Sequence, residues 1–147
     1  MPRYVSIGTR TRRRSSGGAM VEFALVVPIL LTLLLGVVEL GWGLYTYHFL
    51  ESAACQGTRY AIVRGADCTS WASACPASAS DVQTFVRSLA PGAIDTSALK
   101  VTTTWTPDDT PGSEVSVTVQ YNFSLDVPFV PSAVLAMKSA SQMVISQ

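Results

Sequence analysis

The chain has 147 residues and no net formal charge, a length that holds one small domain and a membrane segment rather than several domains. The zero hides an asymmetry: Arg3, Arg10, Arg12, Arg13 and Arg14 precede residue 18 with no acid among them, and all ten acids follow it. A basic tail on an acidic body points to nucleic acid or to a membrane, while one histidine and three cysteines without C-x-x-C spacing argue against a structural metal centre.

The segment after the tail decides for the membrane. From Phe23 to Val38 the run FALVVPILLTLLLGVV carries no charge. With Ala19 to Val21 before it and Leu40 to Leu50 after it, the stretch is long enough to cross a bilayer as one helix. Glu22 and Glu39 bracket the run, and their spacing corresponds to roughly 26 Å of helix, against about 30 Å of hydrocarbon. The two acids are therefore expected near opposite interfaces. Trp42, Tyr45 and Tyr47 form an aromatic belt on the far side, and the arginines hold the N-terminus in the cytoplasm. No nucleic-acid partner is expected, because a basic flank before a hydrophobic span needs no second explanation.

Three maturation routes compete. Ser52-Ala53-Ala54 before Cys55 fits a signal-peptidase site or a poor lipoprotein site. Both would cut very late, after an apolar run longer than the usual secretory core of about 7–15 residues. The third route uses Ser15-Ser16-Gly17-Gly18-Ala19-Met20-Val21-Glu22-Phe23: a short basic leader ends in glycine, and an acid sits early in the helix. This pattern resembles the prepilin-peptidase site of the type IV pilin superfamily. The wider run GGAMVEFALVVPILLTLLLGVVELG resembles the N-terminus of TadE-like proteins of the tight-adherence (Tad) pilus system. Its matching features are the glycine, Val21-Glu22-Phe23-Ala24-Leu25, Pro28, Gly36, Glu39 and Gly41, and the resemblance extends over roughly residues 17–65. It implies cleavage after Gly17, or one residue later at Gly18, which leaves Glu22 as the fifth residue of the mature chain. It also implies a prepilin peptidase, other pilin-like subunits and the Tad secretion machinery as partners, with Glu22, Phe23, Pro28 and Glu39 serving subunit assembly.

The chemistry of Glu22 can be argued from the residue itself. A carboxylate in hydrocarbon is costly unless paired. Cleavage would free an amino group a few residues away, on the same or a neighbouring subunit, and pairing with it would favour assembly. The plainer alternative is a carboxylate solvated at headgroup depth. Pro28 removes one helix hydrogen bond and crowds the carbonyl of Ala24, so a kink is expected there; an ordinary membrane proline is the alternative. Glu39 either snorkels at the outer interface or serves packing. Gly36, Gly41 and Gly43 permit close helix contact without forming a strict G-x-x-x-G.

Beyond the membrane the helix is expected to continue to about Val63, with Leu50, Ala53, Ala54, Gly57 and Ala61 on one small-residue face. Glu51, Gln56 and Arg59 point elsewhere. Gly65 to Ala79 is a loop containing Cys68 and Cys75, and outside the inner membrane a Cys68–Cys75 disulfide is expected. Cys55 is left over, either as a buried thiol, as an intermolecular bridge or as a substitute for one loop partner. Ser80 is expected to cap a short helix from Asp81 to Leu89, with Val82, Phe85, Val86 and Leu89 inward. Leu99, Val101, Thr103 and Trp105 alternate as a strand, and Thr106 to Ser113 is a turn. Glu114 to Leu125 alternates most regularly, with Val115, Val117, Val119, Tyr121, Phe123 and Leu125 on one side. Pro128 and Pro131 break the chain, and Met137 to Ser146 is expected as a third strand.

The fold class that results is α+β: a long N-terminal transmembrane helix running into a pilin-like domain with a short helix and a 3–4-stranded antiparallel sheet. The expected organisation is a basic leader at 1–17, a transmembrane helix at 18–47 and an extracytoplasmic domain at 48–147. No glycine-rich phosphate loop or nucleophile elbow is present. Asp108-Asp109 lies in a proline-flanked turn and is expected to form that turn. Trp71 and Trp105 are expected in packing rather than in a binding surface. The expected function is a non-enzymatic minor pilin-like subunit or assembly factor of the bacterial inner membrane, with no cofactor and no metal. The alternatives are a membrane-anchored binding module that never enters a filament, and a secreted or lipid-anchored domain cut near Ala54.

Overall fold

The computed structural model describes residues 16–68 and 74–146. Arg3, Arg10, Arg12, Arg13, Arg14, Ser15 and Trp71 lie outside the described residues. Helix α1 runs from Ser16 to Ile62, a length of 47 residues, and continues through Pro28 without a break. The Thr32 hydroxyl donates to the Pro28 carbonyl at 2.8 Å, which gives this polar side chain a partner within its own helix.

The chain then forms α2 (Ala79–Ser88) and three strands, β1 (Lys100–Thr106), β2 (Glu114–Leu125) and β3 (Ala133–Val144). The strands make an antiparallel sheet in the order β1-β2-β3. The register pairs Val101 with Val119, Val117 with Ser141, and Leu125 with Ala133. The α+β arrangement of long helix, short helix and antiparallel sheet is therefore the observed one. The sheet has three strands among the described residues.

One face of the sheet lies on α1. The helix contributes buried positions at Gly43, Thr46, Leu50, Ala53, Ala54, Gly57, Thr58 and Ala61, which recur at the three- and four-residue spacing of one helical face. The small side chains let the sheet approach closely. β2 answers with Val115, Val117, Val119 and Phe123, all buried, at the period of two that a half-covered strand requires. Thr58 is tolerated in this core because its hydroxyl lies 2.8 Å from the Ala54 carbonyl and 3.2 Å from the Ser141 carbonyl. It thus has a partner in its own helix and another in β3. Ser146 closes the other end, its amide donating to the Ile62 carbonyl at 3.1 Å.

Helix α2 covers the rest of that core with Val82 and Val86. Phe85 stacks on Tyr60 of α1 at 4.4 Å, and the Arg64 guanidinium carbon sits 3.9 Å over the other ring's centroid. The cap differs from the sequence expectation. Ser78, not Ser80, caps the helix, and α2 starts at Ala79 and ends at Ser88. Asp81 explains the choice: it is the third residue after Ser78, so its carboxylate can accept from the Ser78 amide at 2.9 Å and complete a capping box.

β3 also departs from expectation. It begins at Ala133, four positions before Met137, and ends at Val144, before Ser146. Its first four residues are all exposed, so no alternation announces them. Their strand conformation comes from pairing with the end of β2, between Asn122 and Leu125.

Candidate assembly and membrane-anchoring surface

Among the described residues, the apolar stretch of α1 that precedes Glu39 is left uncovered by the rest of the structure. One helix among the described residues, Gly17–Ile62, is long and apolar enough to cross a membrane, and its most apolar window is wholly uncovered. Met20, Phe23, Ile29, Leu33, Val37 and Leu40 are each exposed by 60 % or more. A soluble protein rarely leaves so large a contiguous apolar surface in water. The arrangement suits lipid, the helices of other subunits, or both.

Glu22 and Phe23 stand side by side on this bare stretch, both exposed. Gly17 and Gly18 lie in its first turn, where an added side-chain carbon would meet nothing within 4 Å. Pro28 is exposed as well. Glu39 is placed differently. It is half-buried and lines an open cleft of about 580 Å³ whose other walls include Leu125, Leu135, Met137 and Lys138. Glu22 and Glu39 thus belong to different surroundings: bare helix for the first, the margin of the sheet for the second.

Contact between α1 and the sheet begins at Gly43, where a side-chain carbon would come within 3.7 Å of Phe123 and 3.8 Å of Met137. Thr46 follows, almost fully buried, its hydroxyl donating to the Trp42 carbonyl at 3.0 Å. Trp42 and Tyr45 stack on each other at 5.3 Å and remain about half exposed.

Cys68 and Cys75 are disulfide-bonded, with their α carbons 5.9 Å apart. The bond closes the loop that follows α1. The loop is also held by the Ala77 amide, which donates to the Arg64 carbonyl at 2.9 Å, and by the Ala66 amide, which donates to the Asp109 backbone carbonyl at 2.8 Å. Cys55 is a free, half-buried thiol on α1. Asp108 builds the β1–β2 turn, accepting from the Thr110 amide at 3.1 Å and the Ser113 hydroxyl at 2.8 Å. Hydrogen bonds from the Thr110 and Ser113 side chains hold its carboxyl below the usual carboxylate range. Trp105 is half-buried and packs against the core. Among the described residues no three His, Cys, Asp or Glu side chains come together as a metal site would need.

Sequence reasoning missed Thr46, Thr58 and the apolar end of the β2–β3 connection. The 43–46–50 spacing was the available signal for Thr46. For the connection, the signal was a charge-free run from Val127 to Met137, hidden behind the breaks at Pro128 and Pro131.

No curated protein and no solved structure gives a significant match to the chain. The bare helix and its first contacts with the sheet, residues 17–59, match the model of the TadE-like protein family, whose members are associated with the Tad pilus, in agreement with the resemblance around Glu22.

Proposed function

We propose that the chain is a non-enzymatic, minor pilin-like subunit of a Tad-type pilus, cut by a prepilin peptidase after Gly17 and assembled through α1. In this reading residues 1–17 are a cytoplasmic leader, 18–47 the membrane helix and 48–147 an extracytoplasmic domain whose sheet reaches back to Gly43. The five leader arginines support that orientation. The observation that carries the proposal is the uncovered apolar stretch of α1 with one acid, Glu22, at its start.

The proposed mechanism is electrostatic. Hydrolysis of the Gly17–Gly18 bond leaves an α-amine on Gly18, four residues before Glu22. Within one helix, residues four apart share a face. In a filament the amine of one subunit can meet Glu22 of the next. Either pairing removes an isolated charge from a region where charge is costly, and the pairing between subunits rewards assembly. Pro28 weakens the helix locally and would let it bend during packing.

The packing around Ala54 speaks against cleavage there. Ala53 and Ala54 are buried in α1 against the sheet, and Leu50 just before them is fully buried in the core. A cut at that point would remove Leu50 from the domain it stabilises.

Shearing surface filaments from cells and probing them for the chain tests the proposal. The expected result is a portion of the mature chain in the sheared fraction, co-purifying with pili. A chain confined to the inner membrane while pili are present would instead make it a stationary membrane module.

A further inference from the structure

The end of the sheet formed by the β2–β3 connection is built unlike the rest of the domain surface. Phe129 is 90 % exposed, Val134 71 %, Leu135 53 % and Val130 51 %. No charged residue occurs from Val127 to Met137. Phe129 also has a backbone φ of 66°, a left-handed conformation that a bulky side chain adopts only at a conformational cost. A large aromatic ring is thus left almost wholly uncovered by the described residues.

The fold fixes where this apolar end lies. Phe123 sits against Gly43 of α1. Two residues further along β2, Leu125 shares a cleft with Glu39 and Leu40. A strand advances about 3.3 Å per residue and a helix about 1.5 Å, so each further strand residue passes about two helix residues. The connection beyond Leu125 therefore runs toward the bare part of α1, on the side of Glu39 away from the domain core. Trp42 and Tyr45, the aromatic pair suited to a membrane interface, stand at the level of Gly43. Leu135 of the patch lines the same cleft as Leu40 and Leu44, both exposed on the helix, so the apolar patch adjoins the apolar surface of α1.

We infer that the β2–β3 connection is a second membrane contact: Phe129, Val130, Val134 and Leu135 enter the outer-leaflet interface of the bilayer that α1 spans. The inference rests on the reading of α1 as a membrane helix. The occupant of the patch is lipid, because the patch has no charge to pair with a polar partner and lies at the depth where the helix meets the bilayer. The contact gives the subunit a fixed rotational and tilt position while it waits in the membrane, since one helix alone is free to turn about its axis. Extraction into a filament must then break the loop's contact with lipid as well as that of the helix.

Spin labels on single cysteines test this in the full chain, with Cys55→Ser as background and the Cys68–Cys75 bond intact. The chain is reconstituted in vesicles of phosphatidylethanolamine and phosphatidylglycerol. Labels are placed by Phe129→Cys and, as an independent site, Val134→Cys. Leu33→Cys reports the span and Thr110→Cys the opposite end of the sheet. Collision with oxygen, which concentrates in lipid, is compared with collision with a water-soluble nickel chelate. The inference expects an oxygen-to-nickel ratio at 129 and 134 shifted from the Thr110→Cys value toward the Leu33→Cys value. A lipid-like ratio at 33 with a water-like ratio at 129 and 134 would overturn the loop contact and leave the membrane helix standing. Low collision with both reagents at 129 and 134 would also overturn it, in favour of a second copy as the occupant. A water-like ratio at 33 would remove both readings.

Discussion

Gly57 and Val86 are packed so closely that a side-chain carbon on Gly57 would lie 2.8 Å from Cγ2 of Val86. The same carbon would lie 3.2 Å from Cγ1 of Val117. One glycine thus sets the distance between α1, α2 and the sheet. Gly57→Ala forces an overpacking cost of about 1–3 kcal/mol, offset by a helix-propensity gain of about 1 kcal/mol. The expected net loss is about 1 kcal/mol for Ala and more for Gly57→Val, read as a lower melting temperature in detergent. Gly41→Ala, where nothing lies within 4 Å, is expected to leave melting of the domain unchanged. Equal effects at both glycines would contradict the close packing.

The cap of α2 predicts a pH dependence. Hydrogen bonds from the Ser78 side chain and amide hold the Asp81 carboxyl below its ordinary value of 3.8. A carboxyl with a depressed folded pKa contributes stability that is complete above its unfolded pKa and lost as pH falls through the folded one. Asp95, held down by Ser97, and Asp108, held down by Thr110, act in the same direction. Loss of stability is therefore expected at and below the ordinary carboxylate range, starting near pH 4 or about one unit above it. Asp81→Asn should lower stability at neutral pH and reduce the acid-induced loss. Melting curves between about pH 7 and pH 3 read both effects. An unchanged acid slope in Asp81→Asn would remove the capping box from the account.

The Cys68–Cys75 bond closes a short loop, with a sequence separation of 7. Chain-entropy reasoning assigns a loop of that size about 2.5 kcal/mol. Replacing both cysteines by serine is expected to lower stability by that order while leaving α1 and the membrane association intact. Denaturant titration of the two proteins compares the midpoints directly. No difference between them would mean that the backbone bonds at Ala66 and Ala77 hold the loop unaided.

Glu22→Gln keeps the size of the side chain and removes its charge. If Glu22 pairs with a freed amine in the filament, this variant should insert and be processed normally but enter filaments less often. A loss of only ~1.4 kcal/mol of pairing energy lowers incorporation about tenfold. Quantifying the chain in sheared filaments against the membrane fraction reads the ratio. Incorporation equal to that of the native chain would return Glu22 to a solvated carboxylate at headgroup depth.

What the sequence disclosed, and what it did not, follows from which faces are covered. β2 was legible over its whole length because one side meets α1 and the other meets solvent, giving Val115, Val117 and Val119 their alternation. The helix face at Leu50, Ala53, Ala54, Gly57 and Ala61 was legible for the same reason, and all five are buried. Thr46 and Thr58 were not, since a hydroxyl that bonds a carbonyl one turn back can enter a core unannounced by its polarity. The start of β3 was hidden because Ala133 to Ala136 are exposed on both faces, and only pairing with β2 makes them a strand. The cleft that Glu39 lines is walled by Lys138 and the sheet margin, which lie far along the chain and leave no local mark. The bare apolar helix with its early acid was the most legible feature of all, because its apolar run is uninterrupted by charge and is left uncovered by its own domain.

The most direct test is the intact mass and N-terminal sequence of the protein purified from its own membranes. The account predicts a chain starting at Gly18, or at Ala19 if the second glycine is the last leader residue. A chain starting at Cys55, or one still carrying Met1 while pili are being made, would contradict it.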